Sequence, residues 1–225
     1  MDDVRLPSMA ADTTGAVVGA LRSVDRLPAV LMFTASLSAA TAVRLFDDAP
    51  SSAGIECLCL PVRTPPELLL PSLAPLPRLH SLSLYFTLGG GGAPDVHAAR
   101  PWGVPPALRS LLVSIRHQPV GGDDDGDGGE AQSSLARMRW LLDAVAASPA
   151  AGRLASLSLD ARVPPGAALD AALAPVVAAG AGALRRVALR VKPIADDGIG
   201  KRRRMAAALA AALPRATVTV DAAGV

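Results

Sequence analysis

The chain contains no asparagine, two cysteines and few aromatic residues, which make up 3% of its 225 positions. The absence of asparagine excludes N-glycosylation. Cys57 and Cys59 lie two residues apart and therefore on one side of an extended strand. This spacing indicates neither a disulfide framework nor, without further ligands, a metal site. We therefore expect reduced thiols and a protein of the cytoplasm or nucleus.

Long apolar runs and a strong excess of one charge are also missing. The most alanine-rich segment, residues 205–213, is much shorter than the roughly 20 residues that a membrane helix requires. The acidic start, Met1-Asp2-Asp3, lacks the basic and apolar regions of a secretion signal. A net charge of +2 is too small to indicate a nucleic-acid partner. We expect a partner that is neither a membrane nor a nucleic acid.

Motifs that carry catalysis are absent from the sequence. It has no nucleophile elbow, no zinc-protease motif and no glycine-rich loop for phosphates or dinucleotides. The three histidines, His80, His97 and His117, are scattered along the chain. The sequence therefore predicts a protein that is not an enzyme and that holds no cofactor.

One short pattern, L-x-x-L-x-L, does recur along the chain. A repeat at intervals of roughly 20–30 residues is the signature of a solenoid built from strand-plus-helix units. Its copies are Leu27-Val30-Met32, Ile55-Leu58-Leu60, Leu79-Leu82-Leu84, Leu108-Leu111-Val113, Leu154-Leu157-Leu159, Leu184-Val187-Leu189 and a last copy ending in Val218 and Val220.

The segments between the copies have apolar residues at helical spacing. They predict helices over residues 17–24, 37–45, 135–145, 169–177 and 205–213, and the prolines between Pro65 and Pro77 allow only a short helical turn. Strands that alternate with helices predict a parallel sheet with right-handed crossovers. We expect one repeat domain over residues 1–225, with about six or seven irregular repeats. Residues 89–106 are interpreted as a Gly/Pro loop insertion and residues 121–130 as an acidic disordered insertion.

Within each predicted strand, apolar and small polar residues alternate. Leu82, Leu84 and Phe86 share one face, whereas Ser81, Ser83 and Tyr85 share the other. A sheet covered by helices on both faces would be apolar throughout. The fold class predicted is therefore α/β, a leucine-rich-repeat-like solenoid with parallel strands on an open concave face and helices on the convex face.

Basic residues recur where the predicted strands end. In register they form a column along the concave face. Arginine forks match carboxylate and phosphate groups, so the column is a candidate site for an acidic or phosphorylated peptide or an anionic small molecule. The alternative is that these side chains only solvate the strand ends. The column comprises Arg63, Arg116, Arg162 and Lys192, with Thr87 at the remaining position, Arg186 and Arg190 at one end, and Tyr85 and Asp160 as secondary binding residues.

The copy Leu79-His80-Ser81-Leu82-Ser83-Leu84 resembles the leucine-rich repeats of plant F-box and related ribonuclease-inhibitor-like proteins. The resemblance covers about residues 27–221 as a pattern. It departs from those families at the position that usually holds asparagine or cysteine, which here holds Arg63, Thr87, Arg116 and their equivalents. No segment resembles an F-box. It implies a non-enzymatic protein-binding module, either for target recognition with ubiquitin-ligase subunits or as a fragment similar to intracellular plant immune receptors. A sensor of anionic small molecules is the second class of function.

The run Lys201-Arg202-Arg203-Arg204 allows two interpretations. Short basic runs of this kind serve as nuclear-import signals. They also form the solvated, charged start of a surface helix. Both interpretations agree with a protein of the cytoplasm or nucleus.

Overall fold

A computed structural model describes residues 3–6, 29–33, 46, 53–62, 66–88, 102–117, 127–161, 163–191 and 198–222. Eight strands form one sheet. The strands are β1 (Asp3–Leu6), β2 (Val30–Phe33), β3 (Cys57–Val62), β4 (Ser81–Leu88), β5 (Ser110–His117), β6 (Ser156–Ala161), β7 (Arg186–Val191) and β8 (Thr217–Ala222). The helices are α1 (Pro66–Leu73), α2 (Asp127–Ala146), α3 (Ala167–Gly180) and α4 (Gly198–Ala212), and a 3-10 turn spans Ala151–Arg153.

The strands lie side by side in the order of the sequence, and all neighbouring pairs are parallel. The repeat sets the register, because Leu58, Leu82, Leu111 and Leu157 occupy one row across β3 to β6. Each strand thus extends the sheet by one step. The structure confirms the predicted α/β class with parallel strands in a solenoid-like arrangement.

Backbone hydrogen bonds also join neighbouring repeats where the strands begin. This edge of the sheet is called the amino edge below. The carbonyl oxygen of Glu56 accepts hydrogen bonds from the N–H groups of His80 and Ser81, at 2.9 and 3.1 Å. The carbonyl oxygens of His80, Arg109 and Ala155 each accept two N–H groups from the following repeat in the same way. Successive repeats therefore meet through the same contacts, as expected when stability comes from neighbouring units.

The core lies between one face of the sheet and the helices. Leu82, Leu111 and Leu157 are fully buried there, together with Leu142 of α2 and Val176 of α3. The alternating residues of these strands do not belong to the core and, where their side chains are described, are half-buried or exposed, apart from the buried Ser114. The helices of the described chain therefore lie on one side of the sheet, and the other side, called the open face below, faces solvent.

The helices predicted over residues 135–145 and 169–177 lie in α2 and α3, and the one predicted over residues 205–213 lies in α4 except for Leu213, which directly follows it. Glycine and proline account for two of the helix ends, because α3 ends at Gly180 and Pro214 follows α4 closely. The predicted helices over residues 17–24 and 37–45 lie outside the described residues. None of the described helices is long and apolar enough to cross a membrane.

The structure differs from the sequence-based expectations in β1, β2 and α1. In β2 the predicted copy Leu27-Val30-Met32 is wrong by one residue, because Leu31 and Phe33 are buried in the core, whereas Val30 pairs with Cys57 on the other face. The strand Asp3–Leu6 adds an eighth strand that no copy of the repeat predicted. The helix α1 is longer than the short turn that was expected, with Pro66 at its first position and Pro71 inside it. A proline at a first helical position loses no hydrogen bond, since that N–H has no partner in the helix.

The two predicted insertions are described only in part. Asp127–Glu130 form the start of α2. The prediction of a disordered acidic insertion over residues 121–130 is therefore wrong for these four residues. Residues 102–106 of the predicted Gly/Pro loop contain neither helix nor strand. Trp102 in this segment is buried in the core.

Candidate functional site

The open face is built by the strand positions that alternate with the core leucines. Ser83 on β4 and Ser158 on β6 are half-buried, whereas their neighbours Leu84 and Leu159 lie in the core. Small side chains at these positions leave the peptide backbone accessible without exposing a large apolar surface. Larger polar side chains lie closer to the carboxyl ends of the strands, and these form the candidate site.

Asp160 lies at the centre of this site. Register places it beside Ser114 on β5 and Arg190 on β7. The Ser114 hydroxyl donates a hydrogen bond to Asp160 Oδ2 at 3.4 Å, and Arg116 Nη2 lies 3.6 Å from the same oxygen. The carboxylate thus connects the two strands across the open face.

Charges of opposite sign alternate at this end of the sheet. Arg190 lies in register between Asp160 on β6 and Asp221 on β8, and Arg116 approaches Asp160 from the β5 side. The Arg116 side chain is 68% exposed and the Asp160 side chain 20% exposed. An ion pair this open to solvent contributes at most about 1 kcal/mol to stability. Both guanidinium groups therefore remain accessible to a ligand.

Tyr85 is one of two large hydrophobic side chains that are exposed in the described chain, at 39%. It lies in register with Ser114. Partial burial raises the pKa of its phenol, the Cys59 and Asp160 side chains raise it further, and Arg116 and Arg190 oppose the increase. The phenol is therefore protonated at neutral pH and can donate a hydrogen bond. Tyr85, Arg116, Asp160 and Arg190 are called the face cluster below.

The structure brings together only part of the predicted basic column. Arg116 and Arg190 belong to the face cluster with both secondary residues, Tyr85 and Asp160. Arg186 is exposed on the same face, at the opposite end of β7. The other predicted column residues, Arg63, Arg162 and Lys192, lie outside the described residues.

Sequence reasoning missed a second polar group, at the amino edge. Glu56 forms an ion pair with Arg78 at 2.5 Å, and His80 Nε2 lies 3.8 Å from the same carboxylate. Glu56 and His80 occupy the same position of successive repeats, so aligning the repeats by that position would have placed them side by side. The alternation of faces within strands could not reveal this pairing, because Glu56 and His80 precede their strands.

The two thiols, Cys57 and Cys59, lie on the open face of β3 and are not joined to each other. Burial raises the pKa of both, and the Glu56 carboxylate raises that of Cys57 further. A raised pKa reduces the thiolate that binds metals and attacks electrophiles. No three His, Cys, Asp or Glu side chains come together as a metal site within the described part of the chain.

We predict that iodoacetamide alkylates Cys57 and Cys59 several-fold more slowly in the folded protein than in denaturant at mildly alkaline pH. Only the thiolate reacts, and folding lowers the thiolate fraction because it raises both pKa values. The rates are measured by mass spectrometry on intact protein. Equal rates in both states would contradict the prediction.

These observations define an α/β repeat protein with an open parallel sheet and a charged cluster around one exposed tyrosine. The His80 side chain lies beside Glu56 at the amino edge, whereas the hydrogen bond from Ser114 to Asp160 lies on the open face. In comparisons with protein-family models, curated proteins and solved structures, the chain matched none.

Proposed function

We propose that the chain is a non-enzymatic protein-binding module of the leucine-rich-repeat type, which holds its partner on the open face. The observation that carries this proposal is the face cluster, in which Tyr85 lies exposed among Arg116, Asp160 and Arg190. Tyrosine and arginine are the residues that most often dominate the energy of protein interfaces. The cluster lies on neighbouring paired strands, so binding would order few additional backbone groups.

The repeat pattern supports the leucine-rich-repeat assignment. The strands β3 to β7 present L-x-x-L-x-L with its apolar residues buried, and successive repeats meet through the same backbone hydrogen bonds. The resemblance to plant F-box proteins favours target recognition for a ubiquitin ligase as the cellular context. A fragment related to intracellular plant immune receptors is the alternative context, and both place the protein in the cytoplasm or nucleus.

The experiment is affinity purification from plant extract with the tagged wild type and the variant Arg116→Glu/Arg190→Glu. We expect partners retained by the wild type to fall by about tenfold or more in the variant, because reversing two interface cations adds repulsion to the lost contacts. The control Arg139→Glu/Arg203→Glu makes the same change of charge on the exposed faces of α2 and α4. All three proteins are first shown to melt cooperatively.

An unchanged partner list in Arg116→Glu/Arg190→Glu would contradict the proposal. Ubiquitin-ligase subunits among the partners lost would support the ligase context, and their absence would favour the immune-receptor context.

A second candidate function is a sensor that binds an anionic small molecule or a phosphorylated peptide. It is favoured by the two exposed guanidinium groups of Arg116 and Arg190, which suit phosphate and carboxylate oxygens. A salt-sensitive rise in melting temperature with inositol phosphates, lost in Arg116→Glu/Arg190→Glu, would support this function over protein binding.

A further inference from the structure

The amino edge carries a second positively charged surface. The side chains of five arginines on or just before β5 to β8 are exposed there, and they are called the arginine edge below. They are Arg109, Arg153, Arg185, Arg186 and Arg215.

Backbone contacts fix the order of these arginines. The N–H of Ala155 bonds to the carbonyl oxygen of Arg109, the N–H of Arg185 to that of Ala155, and the N–H of Thr217 to that of Arg185. Neighbouring strands are about 4.8 Å apart, so three intervals from β5 to β8 span about 15 Å. The five cations therefore follow one another along a single edge.

The carboxylates of the described residues do not neutralise this surface. Glu56 and Asp143 form ion pairs with Arg78 and Arg139, and no ion pair joins a described carboxylate to the arginine edge. Asp160 and Asp221 lie at the other end of their strands. Arg190 follows Arg186 by four residue steps along β7, a distance of about 13 Å, which exceeds the screening length at physiological ionic strength. The arginine edge is thus electrostatically separate from the face cluster.

Stabilisation of helix carboxyl ends explains the positions of only some arginines of the arginine edge. Arg185 donates hydrogen bonds to the carbonyl oxygens of Gly182 and Leu184 after α3, and cations are favoured near helix carboxyl ends. Arg153 and Arg215 also follow helices, α2 and α4. Arg109 follows no described helix, however, and Arg186 points to the open face in register with Ser156. These two side chains need another explanation.

We propose that the arginine edge binds an extended acidic peptide segment, at a site independent of the face cluster. Guanidinium groups pair with carboxylates through two parallel hydrogen bonds. Side chains on one side of an extended peptide recur about every 6.7 Å, so three acidic residues of a five-residue segment cover about 13 Å of the edge. The backbone N–H groups at the edge already bond within the sheet, so arginine side chains supply the contacts.

The composition of the edge favours a peptide over single-stranded nucleic acid. Single strands bind through aromatic side chains on which the bases stack. Among the described aromatic residues, Tyr85 belongs to the face cluster, Trp102 before β5 is buried in the core, and Trp140 on α2 packs against the core, so none of these three offers an open stacking surface at the arginine edge.

The test is fluorescence anisotropy with labelled hexaglutamate, and with hexaglutamine and hexathymidylate as comparison ligands. We expect hexaglutamate to bind Arg109→Gln/Arg185→Gln/Arg186→Gln about tenfold or more weakly than wild type, since three charge-assisted contacts are lost. The control Arg139→Gln/Arg202→Gln/Arg203→Gln removes the same charge from α2 and α4 and should bind within about twofold of wild type. Arg109→Gln/Arg186→Gln leaves the Arg185 bonds intact in case the triple variant is unstable.

Wild-type affinity in both edge variants, or hexathymidylate binding as tight as hexaglutamate binding, would overturn the proposal. The variant Arg116→Gln/Arg190→Gln separates this site from the proposed function. It should bind hexaglutamate as the wild type does, and a loss confined to this variant would assign the peptide to the face cluster instead.

Discussion

Leu157→Asp is expected to unfold the protein. Leu157 lies on β6 with no exposed surface and shares its row with the core residues Leu111 and Val187. An aspartate there either buries an unpaired charge or is protonated in an apolar site, and both alternatives are costly. We expect a loss of at least about 4 kcal/mol, a large part of the roughly 5–15 kcal/mol that stabilises a typical domain.

The matched control is Ser158→Asp, which introduces the same charge one residue later. Ser158 faces the other side of the sheet and is partly open to solvent. We expect this variant to lose less than about 1 kcal/mol. Urea denaturation followed by circular dichroism compares the two. A Leu157→Asp protein that unfolds cooperatively near the wild-type urea midpoint would contradict the assignment of faces.

The fold could be predicted to this extent because the period of the repeat and the alternation within it are local properties of the sequence. The buried row through Leu82, Leu111 and Leu157 needed no knowledge of distant contacts, since each repeat places its leucines in the same way. The open face followed from the serines at alternate positions, because a sheet covered on both faces would be apolar at those positions too.

The strand β1 could not be predicted in the same way. Val4-Arg5-Leu6 is too short to contain a copy of the repeat, and it becomes a strand by pairing with β2 along the free side of the sheet. The start of α2 at Asp127 is a second example. Glycine and aspartate disfavour helix interiors, yet acidic residues at a helix amino end are stabilised by the dipole. Local composition therefore indicated a loop where the helix begins.

The sequence predicted which residues lie in the candidate site better than it predicted the contacts between them. Strand parity placed Tyr85, Arg116, Asp160 and Arg190 on one face. Parity does not show which cation approaches which carboxylate, because that depends on register between strands distant in the sequence. Asp160 has Arg190 as its partner in register and the Arg116 side chain close to its carboxylate, so this end of the open face has both signs of charge. A partner complementary to it would present both a carboxylate and a cation.

Phe86→Ala and Tyr85→Ala are expected to separate stability from binding. These neighbours on β4 lie on opposite faces, since Phe86 is 1% exposed in the core and Tyr85 is 39% exposed. Removing a fully buried phenylalanine loses its apolar contacts and leaves a cavity, which costs about 3–5 kcal/mol. Removing the phenol of Tyr85 should cost less than about 1 kcal/mol, because half-solvated side chains contribute little to folding.

Binding should respond in the opposite order. If Tyr85 is the aromatic anchor of the open face, Tyr85→Ala weakens capture of a partner by about tenfold or more while its urea midpoint stays near that of the wild type. Tyr85→Phe keeps the ring and removes the hydroxyl, so it measures the contribution of the hydrogen bond separately. A Tyr85→Ala protein that retains its partners fully would exclude this tyrosine as an anchor. Partner binding would then have to rest on the charged residues of the face cluster or on another surface.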